Sequence, residues 1–270
     1  MDSNAFSAAT HGLLNARRDA RRIEPLPAAW APEDLTTAYR MQRAVARPLG
    51  AVRGWKISAL TDAQAHAMQV PGPVAGALLA PFVQQSAARY SLSHFVAPLL
   101  EGEFAFELAR DLPAREGGEK PYTRDEVEAA IGGLHIGVEI CDSRLPPGQS
   151  TLMQLADGFN NGAYAIGGAA LDWRDVDFSN QEIVLRAVTA TGDSAGQRIE
   201  LARGTGRAIL HGDPIGAVVL MANHQPPGYG GLRAGQFVTT GSCTGAVAVP
   251  GACALEADFG ALGTVRVRFE

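Results

Sequence analysis

The sequence predicts one α+β fold, in which a helical segment at the N-terminus packs on a β-sandwich or β-roll. Residues 1–50 carry apolar side chains at helical spacing, with a proline-punctuated connector near their middle. After Gly54, short strand-like runs alternate with glycine-rich turns to the end of the chain. A regular alternation of strand and helix, which a doubly wound parallel sheet needs, is absent. We therefore divide the chain into a helical segment, residues 1–50, and a catalytic domain, residues 51–270.

Individual elements carry their own signals. The segment TRDEVEAAIGG begins with Thr123 and Glu126 at the spacing of a capping box, which predicts the start of a helix. A second helix is expected after Asp213, a good N-cap residue, with Pro214 at its first position. In the C-terminal TVRVRF, apolar and charged residues alternate, as in a half-buried strand.

Composition limits the function classes. The chain has 270 residues, a formal net charge of −5, 46% hydrophobic and 19% charged residues, which is an ordinary globular balance. Mild acidity and scattered arginines argue against a nucleic-acid partner, and no apolar run is long enough for a membrane span. Cys141, Cys243 and Cys253 are odd in number and widely spaced, so neither a disulfide framework nor a zinc pair is indicated. We expect a cytoplasmic protein without a membrane partner.

The stretch LLEGEFAFEL, residues 99–108, is the most informative segment of the chain. Read as a strand, it places Glu101, Glu103 and Glu107 on one face and an apolar row on the other. Carboxylates so close repel each other unless water or a cation separates them, and oxygen-rich clusters suit Mg²⁺, Mn²⁺ or Ca²⁺. The alternative is the solvated outer face of an edge strand.

A further carboxylate lies in GVEICDSRL, where Glu139 interrupts an apolar run. Burying an unpaired carboxylate is costly, and a metal shared with Glu101 and Glu103 would offset that cost. The alternative is a salt bridge between Glu139 and Arg144 or another buried arginine.

In GWKIS, Lys56 lies between Trp55 and Ile57 at the start of the strand-rich region. A lysine in a half-buried strand can have its pKa lowered toward neutrality, which suits general acid–base chemistry. The alternative is a surface lysine whose stem alone is covered. The long connection that follows, residues 58–76, is expected to act as a lid.

Together the segments RGWKISALT, LLEGEFAFELARDLP, GVEICDSRL, LADGFNNGAYAIGG and LRAGQFVTTGSCTGAVAV resemble the fumarylacetoacetate hydrolase superfamily in order and spacing. Within it, they are similar to the branch of 2-keto-4-pentenoate hydratases and 4-oxalocrotonate decarboxylases. The resemblance covers about residues 35–270. It implies the superfamily's mixed β-roll and an assembly of two or more identical chains.

The resemblance also implies a site. Its metal, Mg²⁺ or Mn²⁺, would be held by Glu101, Glu103 and Glu139, with Lys56 as the catalytic lysine. The other catalytic candidates are Asp157 and Asn160, and the substrate-binding candidates are Lys56, Arg144, Thr240, Gly241 and Ser242.

The implied activity is that of a lyase, a hydratase that adds water to a 2-hydroxydienoate through a metal-bound dienolate. Three alternatives stay open. They are a decarboxylase of a 4-oxalocrotonate-like diacid, a C–C bond hydrolase of an acylpyruvate, and an inactive metal-binding subunit of an assembly. The hydrolases of the superfamily pair a histidine with a glutamate after the first strand. His66 here is followed by AMQV, without that glutamate.

Overall fold

The computed structural model describes residues 2–24, 26–115, 119–168, 171–188 and 196–270. The helices are α1 (Ser3–Arg18), α2 (Leu35–Ala46), α3 (Asp62–Ala67), α4 (Arg124–Ala130), α5 (Thr151–Ala156) and α6 (Pro214–Asn223). The first strands are β1 (Val52–Ser58), β2 (Val74–Leu79), β3 (Val83–Gln85), β4 (Ala88–Tyr90), β5 (Leu99–Leu108), β6 (Ile131–Cys141) and β7 (Asn161–Ile166). The others are β8 (Glu182–Val188), β9 (Arg198–Thr205), β10 (Phe237–Ser242), β11 (Val247–Ala248), β12 (Cys253–Asp258) and β13 (Thr264–Phe269). Single 3₁₀ turns occupy Ala28–Trp30, Ala80–Phe82, Leu92–His94, Gly206–Ala208 and Gly260–Leu262.

The strands form two mixed sheets. The larger has the order β2-β1-β10-β5-β6-β7-β3, with β11 also paired to β5, and the smaller has the order β4-β13-β12-β8-β9. Parallel pairs, such as β1 with β10, occur beside antiparallel ones, such as β5 with β6. Together with the helices, these mixed sheets confirm the predicted α+β class.

The two sheets pack face to face through the apolar side of β5. A Cβ atom added to Gly102 would lie 2.8 Å from Cγ2 of Ile183 on β8, so the sheets approach each other closely at this glycine. Next to it, the ring of Phe104 packs edge-on against Phe178 and Phe259, with centroids 5.0 and 6.0 Å away. Because the even-numbered residues of β5 fill this core, its glutamates must point to the opposite face.

The local signals of the sequence are confirmed. Helix α4 starts with the complete capping box of Thr123 and Glu126. Helix α6 starts with Asp213 as N-cap, accepting from the Gly216 amide, and with Pro214 in its first turn. On β13 the apolar side chains are buried and the arginines exposed, as expected for a strand with one face on the core.

The N-terminal helices pack mainly on each other and on α5. Leu13, Met41 and Val45 share a buried apolar cluster with Leu145 and Met153. The division of the chain at residue 50 stays a prediction. No helix in the part of the chain that the structure describes is long and apolar enough to cross a membrane.

Candidate active site

Two neighbouring strands bring the predicted carboxylates together. In the antiparallel register of β5 and β6, Glu101 lies directly opposite Glu139, and Glu103 follows two residues along β5. Glu103 and Glu139 are each 1% exposed. Strand β5 lies inside the sheet between β10 and β6, so the alternative of a solvated edge strand is wrong. Glu107 lies farther along β5 and pairs with Arg53 at 2.9 Å.

Lys56 supplies the counter-charge to this cluster. Its Nζ lies 2.5 Å from Oε1 of Glu139, and the residue is 7% exposed, so it is not a surface lysine. The partner of Glu139 is therefore a lysine rather than the buried arginine considered from the sequence. Nζ also donates to Sγ of Cys141 at 3.5 Å, and that thiol donates to Oε2 of Glu101 at 3.5 Å.

The electrostatics reflect three carboxylates around one ammonium. Burial, together with the charge of Glu139, raises the pKa of Glu101 and raises that of Glu103 well above its usual range. For Lys56, burial is the largest single influence and opposes the charged form, but the neighbouring acidic groups Glu139, Cys141 and Glu101 together outweigh it and raise the lysine pKa above its usual value. The raised pKa favours the charged lysine, in contrast to the lowered pKa expected from the sequence.

These side chains line a cavity of about 350 Å³. Of the predicted residues, it contains Lys56, Glu101, Glu103, Glu139, Asn160, Gly241 and Ser242. Its other walls are Ile57, Ser58, Leu60, Gln64, Cys141, Phe159, Ala208 and Ile209. Sequence reasoning missed this second group as site residues. Cys141 carried a usable signal, because it follows Glu139 by two residues on the same strand face.

A bulge in β10 brings Ser242 into the cavity. The pairing of β10 with β5 shifts register between Thr239 and Ser242, and Gly241 adopts φ 97°, a conformation that strongly favours glycine. Thr240 lies on the other side of this bulge. It is fully buried, its hydroxyl donates to the carbonyl of Phe104, and it is not among the residues that line the cavity, so the substrate contact of Thr240 stays a prediction.

Arg144 and Asp157 also lie outside the cavity. Nε of Arg144 is 3.0 Å from Oδ2 of Asp157, and the two side chains are 2% and 1% exposed. The guanidinium of Arg144 also donates to the carbonyls of Asp142, Asp157 and Asn161. A guanidinium has only five donor hydrogens, so little of this one is left for a substrate. Arg144 borders a separate cavity of about 290 Å³. Neither residue is among those that line the carboxylate cavity, and the catalytic role of Asp157 and the substrate-binding role of Arg144 stay predictions.

The ion pair holds the turn that carries two cavity residues. Between α5 and β7, Phe159 and Asn160 both have φ 58°, a left-handed conformation that is uncommon outside glycine. The carbonyl of Asn160 accepts from the amide of Asp142, and the Arg144 contacts flank the turn on both sides. This backbone presents Phe159 and Asn160 to the cavity, and the ring of Phe159 lies 5.8 Å from Nζ of Lys56.

The connection between β1 and β2 covers another side of the cavity. It contains α3, which starts with a complete capping box of Thr61 and Gln64. Leu60 and Gln64 from this segment line the cavity wall. Closure of this segment as a lid stays a prediction.

The donor set fits a divalent cation. Apart from the contact with Lys56, both oxygens of Glu139 and Oε2 of Glu103 lack a hydrogen-bond partner among the described residues, although they are buried. Glu101, Glu139 and Cys141 each offer one possible metal-ligand atom, and these three atoms lie within 4.8 Å of one another. Buried carboxylates without hydrogen bonds are costly, and a cation would compensate them.

Comparison with known proteins finds relatives that match almost the whole chain. No model of a protein family matches the chain. The chain is 30% identical to a 2-keto-4-pentenoate hydratase of Paraburkholderia phymatum over 274 residues. This alignment covers 99% of this chain and 98% of the relative. A hydratase of the same name from Burkholderia vietnamiensis is 28% identical over 273 residues, which cover 99% of this chain and 98% of that relative. A 4-oxalocrotonate decarboxylase of Pseudomonas putida is 27% identical over 264 residues, 95% of this chain and 94% of its own.

Solved structures share the fold. The 4-oxalocrotonate decarboxylase from Pseudomonas putida G7, complexed with magnesium and adipate, superposes with a TM-score of 0.83 at 23% identity over 100% of this chain and 99% of that chain. Fumarylpyruvate hydrolase from Pseudomonas aeruginosa, in complex with Mn²⁺ and pyruvate, gives a TM-score of 0.50 at 17% identity over 80% and 88%.

The fold is that of the solved decarboxylase and hydrolase structures. With 30% identity over almost its whole length, the chain belongs to the family of 2-keto-4-pentenoate hydratases and 4-oxalocrotonate decarboxylases, a branch of the fumarylacetoacetate hydrolase superfamily, and it is a lyase.

Proposed function

We propose that the protein is a metal-dependent hydratase that adds water to a 2-hydroxydienoate of the 2-keto-4-pentenoate type. The observation that carries this proposal is the charge pattern of the cavity. Three carboxylates and one lysine lie together at one end, and the described residues that complete the wall are apolar or neutral.

This pattern favours a monoacid over a diacid. A decarboxylase of a 4-oxalocrotonate-like substrate needs a cation or amides for a second carboxylate. Lys56 is the only cationic side chain among the described cavity residues, and Arg144 is held in its ion pair elsewhere. Ile57, Leu60 and Ile209 instead offer an apolar surface that suits a short hydrocarbon chain.

The metal, Mg²⁺ or Mn²⁺, would be held by Glu101, Glu103 and Glu139. A bound divalent cation supplies Lewis-acid polarisation of the substrate's carboxylate and 2-oxo oxygens. Oxygen donors suit these hard ions. The magnesium and Mn²⁺ present in the decarboxylase and hydrolase structures support this choice of metal.

The residues of the chain divide the chemistry between them. Lys56, which holds its proton, donates it to the terminal carbon and then takes up the proton of the dienol hydroxyl, which converts the dienol into an unsaturated ketone and restores the ammonium. Water then adds, its oxygen bonding to the carbon next to that terminus, while its proton goes to the carbon beside the ketone. Among the neutral polar residues that line the cavity, Asn160, Ser242 and Gln64 place this water.

The test is an assay of the purified protein with Mg²⁺ or Mn²⁺ on two substrates. With 2-hydroxypenta-2,4-dienoate, we expect loss of the dienol absorbance and formation of a 4-hydroxy-2-oxo acid, identified by NMR. With a 4-oxalocrotonate, we expect little release of carbon dioxide. Carbon dioxide release without hydration of the monoacid would show a decarboxylase, and cleavage of an acylpyruvate would show a hydrolase.

An inactive metal-binding subunit would bind the cation and turn over none of these compounds. The chelated enzyme is the matched blank for each assay. A cytoplasmic location and an assembly of two or more identical chains remain proposals, which cell fractionation and light scattering of the purified protein would test.

A further inference from the structure

Cys141 lies inside the carboxylate cluster, and the proposed hydration does not use it. Its Sγ is 3.5 Å from Oε2 of Glu101 and 3.5 Å from Nζ of Lys56. Because it follows Glu139 by two residues on β6, both side chains point to the same face of the sheet. Their donor atoms and that of Glu101 lie within 4.8 Å of one another, so one ion can contact all three.

A second observation points to a cation at this place. The oxygens of Glu139 and Oε2 of Glu103 are buried, line the same cavity, and have no hydrogen-bond partner among the described residues apart from the ion pair with Lys56. Two donor sets therefore overlap. One consists of the three glutamates, and the other consists of Glu101, Glu139 and the sulfur of Cys141.

We propose that Cys141 gives this site a sulfur-containing donor set, through which a softer divalent cation such as Zn²⁺ displaces Mg²⁺ or Mn²⁺. The inference rests on the proposed metal site. Thiolate sulfur favours Zn²⁺ over the hard ions, whereas carboxylate oxygen suits Mg²⁺ and Mn²⁺. When the metal–sulfur bond forms, the S–H bond breaks and the thiol proton passes to solvent. Zn²⁺ held in this way contacts Cys141 in place of Glu103, and the enzyme loses hydratase activity.

Cobalt spectroscopy tests this directly, because Co²⁺ bound to a thiolate gives a charge-transfer absorption in the near ultraviolet. The metal-free full chain is titrated with Co²⁺, then with Zn²⁺ in competition. Mn²⁺ binding is followed separately by electron paramagnetic resonance. We expect the charge-transfer band in the wild type, its loss on adding Zn²⁺, and its absence from Cys141→Ser.

Two controls separate the possible results. Cys253→Ser alters a cysteine on β12 of the smaller sheet and should keep the band. Cys141→Ser should still bind Mn²⁺ while its affinity for Zn²⁺ falls at least about tenfold. A wild type that binds Mn²⁺ without a sulfur band, or a band that persists in Cys141→Ser, would overturn this inference and leave the proposed function standing. Failure to bind either Co²⁺ or Mn²⁺ would overturn both.

Discussion

The ammonium group of Lys56 compensates the negative charge of the buried carboxylates. It reaches the cluster from β1, two strands away from β5, and its contact with Glu139 is the shortest ion pair of the site. Removing one partner of a buried ion pair costs about 3–5 kcal/mol, because the other charge is left uncompensated. The lysine thus has a structural task in the metal-free protein besides its proposed role in proton transfer.

The variant Lys56→Met should lower the turnover of the dienoate about 10²–10⁴-fold, the usual contribution of a general acid–base group. It should also lower the melting temperature of the metal-free protein, and Mn²⁺ should restore most of that loss. Steady-state kinetics and thermal melts with and without Mn²⁺ measure both effects.

Two further variants sharpen this test. Lys56→Arg keeps a positive charge but cannot give up its proton, so it should fold and still be inactive. Lys120→Met changes the other lysine of the chain, which is exposed, and should leave both properties unchanged. Near-normal turnover of Lys56→Met or Lys56→Arg would show that another group moves the proton.

Glu103 should make the metal-free protein less stable as the pH rises above about 4.3. Burial, then the charges of Glu139 and Glu101, raise its pKa in the folded protein above the unfolded value of about 4.3. The folded state therefore holds this proton more tightly than the unfolded chain does. The free energy of unfolding falls as the pH rises from the unfolded to the folded pKa, and it stays lower above that range.

The neutral variant Glu103→Gln should consequently melt at a higher temperature than the wild type at neutral pH, with chelator present. Below about pH 4, where Glu103 is protonated in the unfolded chain as well as in the folded protein, the gain should vanish. Glu33→Gln, which removes an exposed carboxylate, is the matched control and should show no such pH dependence. An equal difference between Glu103→Gln and wild type at both pH values would contradict the raised pKa.

At the scale of single elements, the turn between α5 and β7 is held from outside the cavity. Arg144 contacts Asp157 and three carbonyls around the turn, while Arg17 of α1 donates to the carbonyl and side chain of Asn161 at 2.5 and 2.6 Å. Residues far apart in sequence therefore fix the positions of Phe159 and Asn160.

A double-mutant cycle tests the structural role of this pair. Arg144→Met and Asp157→Leu alone should each cost about 3–5 kcal/mol of stability, because each leaves a buried charge unpaired. The double variant should cost clearly less than the sum, as measured by denaturant unfolding. A variant Asp157→Asn with unchanged stability and lost turnover would instead support the predicted catalytic role of Asp157.

The connection that carries α3 is the element most suited to close over the substrate. Leu60 and Gln64 already line the cavity, while most of the helix is exposed. A 2-oxo acid bound with Mg²⁺ should slow hydrogen exchange of residues 59–70 relative to Mg²⁺ alone, since closure buries their amides. Thr61→Ala, which removes the cap at a cost of about 1 kcal/mol, should weaken this protection. Identical exchange in both states of the wild type would argue against a lid.

At the scale of the whole molecule, metal binding and folding should be coupled. The three carboxylates come from β5 and β6, so only the folded chain can present them together. A ligand that binds the folded state alone at 100 times its dissociation constant stabilises it by about 2.7 kcal/mol. For a domain of this size, that corresponds to a rise in melting temperature of about 5–10 °C.

Calorimetry of the chelated protein, before and after addition of Mn²⁺, measures this rise. The double variant Glu101→Gln/Glu103→Gln should show much less of it, whereas Glu33→Gln should behave as the wild type. A rise of the same size in the double variant would place the cation elsewhere.

The sequence by itself determined the elements and the faces of the key strand. The period of two in residues 99–108 fixes which side chains share a face, because strand geometry leaves no other choice once the apolar row is buried. Capping at Thr123 and Asp213 is equally local, since it depends on residues three apart. The order and spacing of five segments also indicated the family that the comparisons then established.

Only the tertiary structure decided which buried charges meet. Whether Glu139 pairs with Lys56 or with an arginine depends on β1 lying beside β10 and β10 beside β5, a strand order that no local pattern encodes. The same long-range packing places Arg144 in an ion pair with Asp157 and the hydroxyl of Thr240 in a hydrogen bond with the carbonyl of Phe104. Ion pairs between distant segments depend on the distance between side chains in the folded chain, and sequence spacing leaves that distance open.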